Sequence, residues 1–123
     1  MVKKILIVDD EPDVRQMLKF KLETNGYKIN EADNGLAAVM MVQKDPPDLI
    51  ILDLMLPKID GFRVCSLIKR DSKHYGSIPV IILTARAGEN DELLAKESGA
   101  DIYVTKPLNL DLLLLKVKEL LKE

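Results

Sequence analysis

Five polar residues follow short apolar runs of this chain. Asp9 and Asp10 come after the first run, Asp53 after the third, Thr84 after the fourth and Lys106 after the fifth. If the runs are parallel strands, their carboxyl ends share one edge of the sheet, where ligands bind. Close carboxylates raise one another's proton affinity unless a cation neutralises them. Oxygen ligands without nearby His or Cys favour Mg²⁺ or Mn²⁺ over zinc.

These residue types also suit phosphoryl chemistry. A carboxylate beside a divalent ion can attack a phosphoryl group, which makes Asp53 a candidate nucleophile. Charge on the phosphoryl oxygens must then be met by positioned donors. The ammonium of Lys106 and the hydroxyl of Thr84 are candidates for that role.

Strand-like and helical segments alternate along the whole chain. Apolar runs rich in β-branched residues predict strands, and longer segments of helical period predict helices. The predicted strands are Lys4–Val8, Tyr27–Glu31, Leu49–Leu52, Val80–Leu83 and Ile102–Val104. The predicted helices are Pro12–Asn25, Asn34–Lys44, Gly61–Arg70, Glu89–Ser98 and Leu110–Lys122. This alternation predicts a doubly wound, flavodoxin-like α/β fold with a parallel five-stranded sheet in the order 2-1-3-4-5.

Composition narrows the class of protein. At 123 residues the chain has the length of one domain, and we expect residues 1–123 to form it. A net charge of -2 with scattered Lys and Arg argues against direct nucleic-acid binding. No apolar run predicts an export signal or a membrane span. Cys65 is the only cysteine, so the chain has no internal disulfide, and we predict a soluble, cytoplasmic protein. Cys65 itself is predicted to be a buried core residue.

Four motifs occur in order at the predicted strand ends. They are Ile5-Leu6-Ile7-Val8-Asp9-Asp10-Glu11, Asp53-Leu54-Met55-Leu56-Pro57 with Asp60-Gly61, Leu83-Thr84-Ala85, and Thr105-Lys106-Pro107. Together they resemble the receiver domain of bacterial two-component response regulators, from Lys3 to the last helix. The resemblance implies a domain that catalyses only its own phosphorylation and dephosphorylation.

The resemblance also implies a role for each residue of the acidic group. Asp53 would be the phosphoacceptor. Mg²⁺ would be held directly by Asp10, by Asp53 and by the backbone carbonyl of Met55, with Asp9 acting through water.

Further roles concern the donors and the output surface. Thr84 and Lys106 would hold the phosphoryl oxygens, and Tyr103 would turn inward as Thr84 moves. The peptide bond between Lys106 and Pro107 would be cis. The implied partners are a histidine kinase or phosphotransfer protein as donor, and a downstream effector or second copy bound through helix 4, strand 5 and helix 5.

The last helix bears on that output surface. Its core stripe is predicted to comprise Leu110, Leu113, Leu114, Val117 and Leu121, which leaves Leu112 and Leu115 facing outward. Met55 and Arg86 are similar to the transcription-factor branch of the family. That branch has acids where this chain has Ile102 and Leu112, so a dimer held by the same salt bridges is not expected.

Other interpretations of the same residues stay open. The acidic residues before Pro12 could simply complement a helix dipole. The chain could be an interaction module that is never phosphorylated. A Mg²⁺-dependent aspartyl phosphatase is a weaker alternative. Such enzymes carry the nucleophile in an Asp-x-Asp motif after strand 1, whereas this chain has Asp9-Asp10-Glu11 there. A flavodoxin would need a phosphate loop after Val8, which is absent.

Several residues have structural interpretations. Asp60 is predicted to cap the helix that begins at Gly61. Met40 and Met41 are predicted to fill the core. His74 lies in a polar loop and is given no role.

Overall fold

The computed structural model describes residues 2–71, 73–85 and 89–123. Within these ranges five strands alternate with five helices. The strands are β1 Lys4–Val8, β2 Lys28–Ala32, β3 Leu49–Asp53, β4 Val80–Thr84 and β5 Ile102–Thr105. The helices are α1 Pro12–Glu23, α2 Gly35–Lys44, α3 Gly61–Arg70, α4 Glu89–Ser98 and α5 Leu110–Leu121.

The strands form one parallel sheet in the order β2-β1-β3-β4-β5. This confirms the predicted fold. The chain reverses direction across the sheet between β1 and β3, so the switch point lies at the ends of these two strands. The residues that follow them are thereby brought to the same edge.

The sheet separates two apolar cores. On one face α2 and α3 pack against alternate strand residues, and the cluster includes Ala38, Val42, Val64, Cys65 and Ile68. On the other face α1 and α5 cover the remaining strand residues, and the cluster includes Leu18, Leu22, Leu113 and Val117. Burial of the central strands on both faces explains why β1 and β3 read as continuous apolar runs.

Helix ends agree with the sequence signals. The side chains of Asn34, Asp60 and Asn109 accept hydrogen bonds from backbone N–H groups in the first turns of α2, α3 and α5. The predicted cap at Asp60 is confirmed. Gly26 and Gly99, after α1 and α4, adopt left-handed φ angles of 91° and 92°, as glycine does at helix C-termini.

Some boundaries differ from prediction by one or two residues. β3 and β4 extend through Asp53 and Thr84, because these residues continue the ladder opposite Leu83 and Thr105. The two site residues are therefore fixed by sheet pairing rather than held on loops. α1 ends earlier than predicted, at Glu23.

Side-chain burial corrects one expectation. Met40 is 60% exposed and is not a core residue, whereas Met41 packs partly buried against the core. Ala38 and Val42 face the sheet, so Met40, midway between them, faces away from it. Cys65 is fully buried as predicted, and burial raises the pKa of its thiol.

In α5 the predicted stripe packs against the core, and Leu112 and Leu115 are exposed as predicted. No helix in the described part of the chain has the length and apolarity that crossing a membrane requires.

Candidate functional site

Three carboxylates converge at the carboxyl ends of β1 and β3. One carboxylate oxygen from each of Asp9, Asp10 and Asp53 lies within 4.8 Å of the others. Asp9 and Asp53 are buried, with 1% and 2% of their surface exposed, and Asp10 is exposed. Thus the structure brings together the acidic group that the sequence predicted, with one side open to solvent.

Asp9 has one oxygen bonded and one without a hydrogen-bond donor. Its Oδ1 accepts the backbone N–H of Glu11 at 2.9 Å. Its Oδ2 is buried and accepts no hydrogen bond from the described residues, and the Lys106 ammonium lies 3.7 Å away. Burial raises the pKa of Asp9, and the charge of Asp53 adds to that effect, while the Glu11 N–H and Lys106 oppose it. Because buried anions need compensation, this oxygen suits a cation or its bound water.

Lys106 supplies a positive charge that both buried carboxylates share. Its Nζ lies 3.5 Å from Asp53 Oδ1 and 3.7 Å from Asp9 Oδ2. Its backbone N–H donates to the Thr84 carbonyl at 2.6 Å. The Lys106–Pro107 peptide is cis, as the resemblance implied. Lys106 follows the end of β5, and this position places its ammonium beside the carboxylates of Asp9 and Asp53.

The loop after Asp53 is tightly packed against the start of α3. Gly61 N–H donates to the Leu54 carbonyl at 2.9 Å. A Cβ at position 61 would lie only 2.5 Å from the Asp53 carbonyl oxygen and 2.8 Å from Leu54 Cα. Met55 N–H is 3.4 Å from Asp53 Oδ1, and the Met55 side chain is exposed. This approach favours glycine at 61. Sequence reasoning placed Gly61 in a motif and at a helix start but missed the approach, which depends on the packing of α3 against β3.

Thr84 and Tyr103 lie on neighbouring strands. Thr84 is fully buried at the end of β4, and Tyr103, on β5, is half-buried opposite Ile82. Tyr103 packs against the core and lines a cavity of about 180 Å³ whose wall includes Ala95 and Lys96 of α4. Arg86, singled out in the sequence, lies outside the described residues.

Arg15 contacts the site although the sequence analysis did not select it. Its Nη1 donates to the Asp9 carbonyl at 2.7 Å, and its Nε to Glu31 Oε1 on β2 at 3.3 Å. The available signal was a basic residue near the start of α1, one turn after Asp9-Asp10-Glu11.

Comparisons with known proteins identify a family and agree with this fold. The response regulator receiver domain family model matches residues 5–118. The DNA-binding dual master transcriptional regulator RpaA of Synechocystis sp. is 41% identical over 119 residues, covering 97% of this chain and 49% of that protein. The alkaline phosphatase synthesis transcriptional regulatory protein PhoP of Bacillus subtilis is 42% identical over 109 residues, covering 89% and 44%.

Among solved structures, the signal receiver domain of a signal transduction histidine kinase from Syntrophus aciditrophicus superimposes with a TM-score of 0.91 at 38% identity. The match covers 98% of this chain and 91% of that one.

The chain belongs to the response regulator receiver domain family of two-component systems. It spans about half the length of the curated relatives named above. The predicted resemblance is confirmed.

Proposed function

We propose that Asp53 accepts a phosphoryl group from the phosphohistidine of a histidine kinase or phosphotransfer protein, in a Mg²⁺-dependent reaction. A bond forms between an Asp53 oxygen and phosphorus while the phosphorus–nitrogen bond of the donor breaks. The electron pair of that bond stays on the imidazole nitrogen. The observation that carries the proposal is the position of Asp53: a buried carboxylate beside two other carboxylates and one lysine, at the switch point of the sheet.

The same residues suit a hard divalent ion. In our proposal Asp10, Asp53 and the Met55 carbonyl hold Mg²⁺ or Mn²⁺ directly, and Asp9 does so through water. When bound, the ion supplies positive charge to the phosphoryl oxygens. The buried Asp9 Oδ2, which lacks a donor in the described part of the protein, supports this assignment.

Lys106 and Thr84 are proposed to hold the phosphoryl oxygens. Lys106 Nζ is already 3.5 Å from Asp53 Oδ1, so an oxygen added to Asp53 would fall within reach of the ammonium. The hydroxyl of Thr84, buried at the end of the adjacent strand, would donate from the other side. The domain would catalyse its own phosphorylation and dephosphorylation and no other turnover.

Output is proposed to pass through Thr84 and Tyr103 to the face of α4, β5 and α5. Phosphorylation would favour one of two existing conformations by drawing Thr84 toward the new oxygens. Leu112 and Leu115, 47% and 58% exposed, give this face an apolar patch for a downstream effector or a second copy.

Sedimentation with and without a beryllofluoride phosphoryl mimic tests the second copy. A monomer at every concentration would remove the homodimer and leave the effector.

The setting of this activity is also a proposal. Residues 1–123 would act as one receiver domain in the cytoplasm. The nearly balanced charge, -2 overall, favours protein partners over direct contact with nucleic acid or membrane.

Intact mass after incubation with acetyl phosphate tests the acceptor. The native chain should gain one phosphoryl group with Mg²⁺ and none with chelator, and Asp53→Asn should gain none. Asp60→Asn is the matched control, because this aspartate only caps α3 and asparagine caps equally well.

Transfer from a phosphorylated histidine kinase is measured in parallel. If neither donor modifies the native chain, the phosphoacceptor proposal fails and a phosphorylation-independent interaction module replaces it.

A further inference from the structure

Arg15, on α1, links the end of β1 to β2 beside the three carboxylates. It lies on α1, donates to the last carbonyl before Asp10, and pairs with Glu31 on β2. Its side chain is only 18% exposed, and that of Glu31 is 33% exposed. A guanidinium is planar and carries several donors in a fixed fork, so it can bond two acceptors without losing either.

The contact acts on the peptide that links two of the carboxylates. The Asp9 carbonyl belongs to the Asp9–Asp10 peptide group, so its direction sets the path of the chain into Asp10. Asp9 N–H donates to Ala32 on β2 at 3.1 Å. Asp9 is thereby bonded to β2 in two ways, directly through its N–H and indirectly through Arg15 and Glu31. Asp10 lies beyond the end of β1 and has no strand pairing of its own.

We infer that Arg15 is a positioning residue for the divalent-cation site: it orients the Asp9–Asp10 peptide so that the Asp10 and Asp9 carboxylates face Asp53. This inference rests on the metal site in the proposed function. Arg15 itself would touch neither the ion nor the phosphoryl group. Residues that orient metal ligands in other proteins change affinity by roughly 10-fold or more when they are removed.

Lys19 offers a matched control. Its Nζ lies 3.6 Å from Glu31 Oε2, and its side chain is 42% exposed. Lys19→Met and Arg15→Met remove the same charge from the same partner, but only Arg15→Met removes the bond to the Asp9 carbonyl. Loss of a nearby positive charge alone would tighten cation binding. Loss of positioning would weaken it, so the two effects differ in sign.

The test is Mn²⁺ binding by the whole chain, measured from the electron paramagnetic resonance signal of free Mn²⁺. Arg15→Met should raise the dissociation constant by roughly 10-fold, while Lys19→Met leaves it unchanged or lowers it. Arg15→Lys, which keeps one donor, should lie between Arg15→Met and the native chain. If circular dichroism shows that Arg15→Met does not fold, Arg15→Gln replaces it in the comparison.

Equal affinities for the folded Arg15 variant and Lys19→Met would overturn the inference while leaving the metal site intact. Absence of Mn²⁺ binding by the native chain would overturn the metal site as well. A second readout is phosphorylation by acetyl phosphate over a range of Mg²⁺ concentrations. A positioning role raises the Mg²⁺ concentration for half-maximal rate, and the rate at saturating Mg²⁺ recovers. A general loss of structure lowers the rate at every concentration.

Discussion

Replacing Gly61 with alanine should strain the backbone that carries Asp53. The added Cβ would stand 2.5 Å from the Asp53 carbonyl oxygen, whereas real Cβ contacts keep at least 3.0 Å, so β3 and α3 must separate by about 0.5 Å. The three nearest atoms, the Asp53 carbonyl oxygen and carbon and the Leu54 Cα, are all backbone, so none of them can rotate away. Overpacking of this kind costs about 1–3 kcal/mol. Lower entropy of the unfolded chain offsets about 0.4–1 kcal/mol of that cost.

The mid-range values differ by about 1.3 kcal/mol, and we expect Gly61→Ala to lower the free energy of unfolding by that amount. Urea unfolding followed by circular dichroism measures this, since the chain has no tryptophan for fluorescence. Gly35→Ala is the matched control. It lies at the first position of α2, and its Cβ would meet the Val64 Cγ2 methyl at 2.6 Å. Both variants should lose stability.

Only Gly61→Ala should also slow phosphorylation, because only its strain reaches the Asp53 backbone. A Gly61→Ala protein as stable as the native chain would refute the close approach. Equal phosphorylation rates in the two glycine variants would refute its link to Asp53.

Three further predictions follow from contacts away from the acidic pocket. The side chain of Lys69 is 14% exposed and bonds Asp101 at 3.0 Å as well as two backbone carbonyls. Lys69→Met should therefore lower the free energy of unfolding by about 1–3 kcal/mol. Urea unfolding measures this, and an unchanged midpoint would contradict it. Burial and the hydrogen bond to Glu123 raise the pKa of Tyr27 to about 12. The folded state therefore keeps its proton above pH 10, where the unfolded chain loses it, and stability falls from pH 10 to 12. Ultraviolet titration should show a late phenolate step that Tyr27→Phe abolishes, and an unaltered titration would count against the contact. Asp60→Ala should cost about 1 kcal/mol and Asp60→Asn little; equal losses would mean that the cap contributes nothing.

Local pattern determined the elements and the residues at their ends. Apolar runs and helical periods are properties of neighbouring residues, so strands, helices and the parallel sheet could be predicted without coordinates. The convergence of Asp9, Asp10 and Asp53 followed from the strand order, because parallel strands share an edge. The cap at Asp60 was predictable for the same reason, since the carboxylate that accepts and the backbone N–H of Arg63 that donates are three residues apart.

Tertiary structure decided what depends on distances between segments far apart in the chain. The exposure of Met40 was missed because helical spacing alone does not say which side of α2 meets the sheet. The requirement for Gly61 comes from the approach of α3 to β3. Arg15 acts on the Asp9 carbonyl because β2, 16 residues later in the sequence, supplies Glu31 to hold it. Such contacts require distant segments to be packed together, and no spacing of residue types specifies their distances.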